Sequence, residues 1–356
     1  MSRKLNFKKS PVDTRDYILK INERSVENNE RIDLSSFCST IKNQGSIGSC
    51  TAHASVALME FMFKKFNIIT DQDLFSEKFV YYTTRVKIEN ISPTEDSGCY
   101  LRDTMKGLRA YGSALEASFP YLKESEKDCD ISECPSDSVF NEASKYQIIR
   151  YVSISDDNPS VRLDKLKTVL KEGYGFVGGF LFYETTLQDN NGFIGNPDSN
   201  EEPIGGHAVL FVGYDDSKSV FKFKNSWGQS WGENGYGFLP YSYVLENKAF
   251  DFWTILEQEN NDCVFGVIKP TPSEQNTIQI KDMSIRDSIL ESMMSNILAS
   301  YVDKKTVEDI EQFITNSDSA HLFDRDIVML KEFSKRINRV KEQFQTVFEK
   351  IKNLHV

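Results

Sequence analysis

From Thr51 to Phe66 the chain is apolar and helix-compatible, and the residue that opens this stretch is a cysteine, Cys50. The run into it, Asn43-Gln44-Gly45-Ser46-Ile47-Gly48-Ser49-Cys50-Thr51-Ala52, is a Gly-rich turn with a glutamine six residues before the thiol. A turn followed at once by a helix leaves the thiol at the helix N-terminus. Unpaired backbone N–H groups there carry about half a positive charge and favour the thiolate. The segment therefore predicts an activated nucleophile beside an amide donor, Gln44. Taken alone, it fits a buried structural cysteine after a loop equally well.

A second informative region lies far downstream. Gly205-Gly206-His207-Ala208-Val209-Leu210-Phe211-Val212-Gly213-Tyr214 reads as a strand behind a Gly-Gly entry, and Asp215 to Lys218 supplies turn residues. Val220-Phe221-Lys222-Phe223-Lys224 alternates like the returning strand of a hairpin and ends in Asn225-Ser226-Trp227-Gly228. On neighbouring antiparallel strands, His207 and Asn225 can bond side chain to side chain. The asparagine then orients the ring so that its other nitrogen faces the thiol, which is the nucleophile, base and orienter arrangement of a Cys-His-Asn triad.

With these three motifs in this order, the chain resembles the papain/cathepsin family of cysteine peptidases, in particular its bacterial and large-virus members. The motifs are Gln44 to Cys50, Gly206-His207-Ala208-Val209, and Asn225-Ser226-Trp227-Gly228 with Trp231-Gly232 and Gly235-Tyr236; the resemblance covers about residues 32 to 260. Cys50 precedes His207 by 157 residues and Asn225 by 175. Both gaps exceed the roughly 130–150 residues typical of papain-like enzymes, and loop insertions such as Asp189 to Pro203 absorb the difference. The resemblance implies an α+β, two-lobed papain-like fold, a helical lobe plus a β-barrel-like lobe; beyond it the chain reads as a C-terminal α-helical extension. It implies a thiol endopeptidase working through an acyl-enzyme, with isopeptide hydrolysis or transpeptidation by the same triad as the alternative chemistry. A catalytically silent scaffold that binds partners through its C-terminal helices is the alternative from another class.

Carried over by the resemblance, Cys50 is the nucleophile, His207 the general base and then acid, and Asn225 its orienter. The Gln44 amide and the Cys50 backbone N–H form the oxyanion hole, Trp227 shields the His207–Asn225 contact, and Gly98 and Gly206 support substrate binding. An oxyanion donor is worth about 3–4 kcal/mol in the transition state. The chain also departs from the family pattern. Ile47 stands where members carry a cysteine three residues before the nucleophile, which removes half of a common disulfide. Thr51 replaces an aromatic, and Asp96-Ser97-Gly98-Cys99-Tyr100-Leu101-Arg102-Asp103 lacks the Gly-Gly pair that usually follows its cysteine in one cleft wall. His53, one turn after Cys50, has no orienter nearby and reads as a packing or hydrogen-bonding residue; His321 and His355 read as surface residues of C-terminal helices. No cluster has zinc-ligand spacing, and Asp215-Asp216 reads as a turn, so neither metal nor cofactor is expected.

A chain of 356 residues with 39% hydrophobic and 12% aromatic residues has enough apolar material for a large core and two domains. The net charge of −11 and the lack of a basic cluster argue against a nucleic-acid-binding role. No apolar run approaches the length of a membrane span, and the N-terminus shows no signal-peptide core. Six cysteines, one of them the nucleophile, leave five others, an odd remainder that favours reduced thiols in the cytoplasm or in a virion assembled there. Cys129 and Cys134 stand close enough to close a small loop under oxidation. The expected partners are protein or peptide substrates, with no membrane and no nucleic acid.

Four regions follow. Residues 1–31 are polar and charged and are expected to act as a short inhibitory prosegment across the cleft; Phe7-Lys8-Lys9-Ser10-Pro11-Val12 offers apolar side chains beside an extended-favouring Pro. Residues 32–262 form the peptidase domain, with helices predicted over 51–66, 76–86, 102–111 and 163–172. A Pro-containing linker, 263–280, follows. In 281–356, apolar residues from Ile285 to Tyr301 and from Leu330 to Leu354 recur in steps of three and four. That period predicts helices that self-associate, bind a partner, or pack on the peptidase surface.

Overall fold

The computed structural model describes residues 4–21, 30–70, 73–122, 128–148, 150–186, 191–256 and 265–268. All belong to one compact unit, Met1–Ser273; the helical extension expected over 281–356 lies outside the described residues, as does most of the 263–280 linker.

The helix that starts at the cysteine, α1 (Cys50–Lys65), is buried at every position from Cys50 to Met62. A helix without a polar face has to be covered all round, and this one is. Helix α2 (Glu77–Tyr82) is capped by the Ser76 hydroxyl, which accepts from the Phe79 N–H. The single helix expected over 76–86 changes type midway, continuing as a π-helical turn over Thr83–Ile88. The Thr83 and Thr84 hydroxyls bond back to the carbonyls of Phe79 and Val80 at 2.9 and 2.8 Å, competing with the helix's own N–H groups. Helix α3 (Leu101–Tyr111) stops at Gly112, whose φ is +73° and where a Cβ would lie 2.1 Å from the Ala143 carbonyl. Three further helices, α4 (Asp137–Ala143), α5 (Pro159–Lys171) and α6 (Ser242–Leu245), complete the set among the described residues. Pro159 and the Asn158 cap start α5 four residues before the expected Leu163.

The strands are β1 (Ile18–Ile21), β2 (Arg31–Asp33), β3 (Arg150–Ser153), β4 (Phe176–Phe182), β5 (Gly205–Asp215), β6 (Val220–Lys224), β7 (Tyr236–Pro240), β8 (Ala249–Leu256) and β9 (Phe265–Ile268). They form one sheet in the order β7-β6-β5-β4-β8-β3-β1-β9, with β2 pairing with β5. Strand β5 is buried on both faces. Ala208, Leu210 and Val212 join the core around α1, whereas Val209, Phe211 and Tyr214 join an aromatic core with Phe176, Phe180, Phe221 and Phe223. A register shift between Phe211 and Gly213 turns Tyr214 onto the aromatic side. The result is the two-lobed α+β architecture expected, with α1 packed across the sheet. Among the described residues no helix is long and apolar enough to cross a membrane.

Candidate active site

Cys50 is the first residue of α1 and is only 1% exposed. Burial pushes its thiol up to about 11; the backbone N–H groups of Ala208, Thr51 and Cys50 itself favour the anion, and the charge of Asp96 works against it. The helix terminus is therefore present as expected, but desolvation outweighs it in this closed arrangement, so the thiol is protonated at neutral pH. The Ala208 contact places the sulfur beside the residue that follows His207.

His207 lies near the start of β5, and its Nε2 is 2.8 Å from Asn225 Oδ1. The Ser226 N–H donates to the same Oδ1 at 2.8 Å, which identifies that atom as the amide oxygen and Nε2 as the protonated ring nitrogen. The Asn225 N–H is held in turn by the Gly235 carbonyl at 2.9 Å. Trp227 stacks on the imidazole with ring centres 4.5 Å apart, and the edges of Phe180 and Phe182 close other sides at 6.4 and 6.0 Å. This aromatic sleeve keeps His207 fully buried and strengthens its bond to Asn225 by lowering the local dielectric.

Gln44 is locked from three directions. Its backbone N–H donates to the Ser226 carbonyl at 2.9 Å, its Oε1 accepts from Ser226 Oγ at 2.7 Å, and its Nε2 donates to the Ile47 carbonyl at 2.8 Å. Ile47 uses one of the two amide hydrogens that a primary amide carries. His53 is buried on α1, with Nδ1 3.0 Å from the Ser49 carbonyl and its ring against Tyr121. Burial pushes its pKa down to about 3, so it is a neutral packing group.

The sequence treats residues 1–31 as one segment; the structure gives parts of it separate places. Ile18–Ile21 is a strand of the sheet, and Leu5 to Phe7 runs beside Gly206. The Gly206 N–H donates to the Leu5 carbonyl at 3.1 Å, and the Phe7 N–H donates to the Gly206 carbonyl at 3.2 Å. Asn6 packs on Gly48 and Gly98, where added Cβ atoms would come within 2.2 and 3.1 Å of its side chain. Phe7 stacks on Phe250 at 5.6 Å and sits so close to Gly179 that a Cβ there would lie 1.8 Å from its ring. Ser10 continues the attachment, donating to Asp251 through N–H (3.0 Å) and hydroxyl (2.7 Å). A groove floored by glycines from four separate segments is thus filled by the chain's own N-terminus. Gly98 and Gly206, expected as substrate-binding supports, are both set against the N-terminal segment together with Gly48 and Gly179, and Gly178-Gly179 inside an apolar strand signals such a close approach.

Beneath the site, one buried carboxylate ties three of its segments together. Glu60, on α1, accepts from Lys42 Nζ at 2.9 Å and the Phe75 N–H at 2.8 Å, and it meets the Ser39 hydroxyl. Lys224 Nζ donates to the same Ser39 through its carbonyl and hydroxyl at 2.9 and 2.8 Å. Lys42 precedes Gln44 by two residues and Lys224 immediately precedes Asn225. Burial disfavours the Glu60 anion, but Lys42 and Lys224 more than offset it and hold the carboxyl below its usual range. Glu60→Ala would leave buried Lys224 bonded only to Ser39 and Lys42 with Glu77 as its remaining carboxylate at 2.6 Å, and a loss of about 3 kcal/mol is expected in urea unfolding. A loss below about 1 kcal/mol would show that the network contributes little.

Among the described residues, no group of three or more His, Cys, Asp and Glu side chains could hold a metal ion. Cys134 is an exposed thiol and is not bonded to Cys129.

The papain family cysteine protease profile matches residues 28–243. An uncharacterised peptidase C1-like protein of Acanthamoeba polyphaga mimivirus is 35% identical over 248 residues, 67% of this chain and 76% of that protein. Falcipain-3 of Plasmodium falciparum is 28% identical over 55% of this chain but only 37% of its own length. Among solved structures, xylellain, a cysteine protease from Xylella fastidiosa, superposes with a TM-score of 0.63 at 34% identity, covering 72% of this chain and 97% of that one.

Proposed function

The chain belongs to the papain family of cysteine proteases, and we propose that it is an endopeptidase that cleaves protein or peptide substrates through a Cys50 acyl-enzyme. The observation that carries this reading is the His207 Nε2–Asn225 Oδ1 bond of 2.8 Å under Trp227, at the end of the sheet where Cys50 begins its helix. Holding the proton on Nε2 leaves the Nδ1 lone pair to take the thiol proton. The thiolate attacks the scissile carbonyl, and the oxyanion is met by the Cys50 N–H and the second Gln44 amide hydrogen. As the tetrahedral intermediate collapses, the imidazolium gives its proton to the leaving amine, and water, deprotonated by the same ring, releases the acid product.

In this reading the enzyme is held latent by its own N-terminus. The supports are the chain's placement of Leu5 to Phe7 in the glycine-floored groove and the raised pKa of the enclosed thiol. Profiling a peptide library with the protein opened by Phe7→Asp, with and without Cys50→Ala, tests the peptidase assignment. Cleavage products are expected only where Cys50 is present; products from both proteins would exclude a Cys50 acyl-enzyme.

A further inference from the structure

Beside the groove, the Asp96 carboxylate has a role that the catalytic machinery leaves open. Asp96 lies in the loop before α3, with its carboxylate 12% exposed. The Gly48 N–H donates to both of its oxygens at 3.1 and 3.2 Å, and the Tyr81 hydroxyl donates to Oδ1 at 2.5 Å. That same hydroxyl accepts the Gly98 N–H at 3.1 Å. The carboxylate is therefore mounted between Gly48 and Gly98, the two glycines that Asn6 covers, and its charge is felt at Cys50. Its loop is rigidly held. The buried Arg85 guanidinium donates to the carbonyls of Ser92, Pro93 and Glu95 at 3.3, 3.1 and 2.6 Å, and to that of Ile131 at 2.7 Å.

The remaining partner of Asp96 is different in kind. Lys4 Nζ, on a side chain 48% exposed, forms an ion pair with Oδ2, and Lys4 belongs to the N-terminal segment that fills the groove. Gly48 and Tyr81 are part of the protein body and stay when that segment leaves; Lys4 goes with it. What remains is a fixed anion beside the nucleophile, with the acceptor site that had been occupied by an ammonium now facing the groove.

We infer that Asp96 makes this cleft select peptides bearing a lysine or arginine side chain near the scissile bond, Lys4 standing in for that side chain in the closed protein. The inference rests on the peptidase reading above. A cation entering the groove recovers the ion pair that Lys4 gave up, whereas a glutamate meets a like charge that the loop cannot move aside. Asp96 is a specificity-determining residue and takes no part in bond cleavage.

The test is competition between paired peptides in one reaction with the full-length protein. Each pair differs at a single position, lysine against acetyl-lysine, scanned over the three residues on each side of the cleaved bond. The ratio of the two rates is independent of how much enzyme is active, so partial latency or partial misfolding of a variant leaves it unchanged. Lysine is expected to be favoured by about fivefold to tenfold at one position at least, the range a partly shielded ion pair supports. In Asp96→Asn, which keeps an acceptor for Gly48 and Tyr81 but loses the charge, the ratio at that position falls below about twofold. Equal rates at every position, or a preference that survives Asp96→Asn, would overturn the inference. Absence of cleavage of both peptides by the full-length protein and also by full-length Phe7→Asp, whose ring no longer packs on Gly179 and Phe250, would overturn the peptidase reading beneath it as well.

Discussion

Deleting residues 1–11 is expected to raise the rate of Cys50 alkylation at pH 7 by about a hundredfold or more. In the intact protein Cys50 is 1% exposed and burial pushes its thiol up to about 11, so the thiol stays protonated at pH 7. Opening the groove removes the desolvation and leaves the helix N-terminus and the imidazole, an environment that lowers cysteine pKa values to about 3.5–7.5. The pH profile checks the cause. Alkylation of the intact protein should climb steeply between about pH 9 and 11, while the shortened protein should approach its plateau by about pH 7. The raised thiol pKa has a matching sign in stability: its contribution is complete below the unfolded value of 9.0 and is lost as pH rises through about 11. The position of the cut matters. Val12 is 93% exposed, so cutting before it removes the groove segment and leaves β1, whose Leu19 is fully buried, in the sheet. Starting the chain at Ile32 would also delete β1 and confound latency with unfolding. Phe7→Asp, which places a charge against Gly179 and Phe250, should reproduce the effect without any deletion. An unchanged alkylation rate in both proteins, each with a native unfolding curve, would exclude inhibition by the segment.

Replacing His207 by alanine should lower kcat by about ten-thousandfold or more, the loss seen when a member of a nucleophile–base unit is removed. His53→Ala, compared per folded molecule, should keep kcat within about tenfold, since a buried group outside the reacting set affects stability before chemistry. Both imidazoles are enclosed in the same protein, so proximity to Cys50 in sequence is a poor guide. His207 has Asn225 Oδ1 at 2.8 Å and an indole stacked on its face, whereas His53 is turned onto Ser49 and Tyr121. If His53→Ala were as inactive as His207→Ala while remaining folded, the base assignment would fall.

Local patterning carried a large part of this protein. The Gly-rich turn running into an apolar stretch places Cys50 at the head of α1, and the alternation in Val220–Lys224 behind the β5 run produces the hairpin that sets Asn225 against His207. Both are interactions between near neighbours in the chain or within one hairpin, where period and turn chemistry decide the outcome. Helix type was less legible. The π-helical turn after α2 depends on Thr83 and Thr84 bonding to their own helix, an interaction that hydrophobic spacing does not register.

What tertiary structure alone decided is every property that sums over distant segments. Gly48, Gly98, Gly179 and Gly206 are unrelated in sequence and become one groove only when the turn before α1, the loop before α3, β4 and β5 converge, and Asn6 and Phe7 fill it from the far end of the chain. Glu60 has no visible partner in the sequence, yet it links the segments that carry Gln44, Cys50 and Asn225 because long-range packing brings Lys42, Ser39 and Lys224 to it. The state of the thiol follows the same rule. Sequence places Cys50 where a helix terminus favours the anion, but desolvation depends on everything packed around the sulfur, and in the closed groove it holds the proton in place.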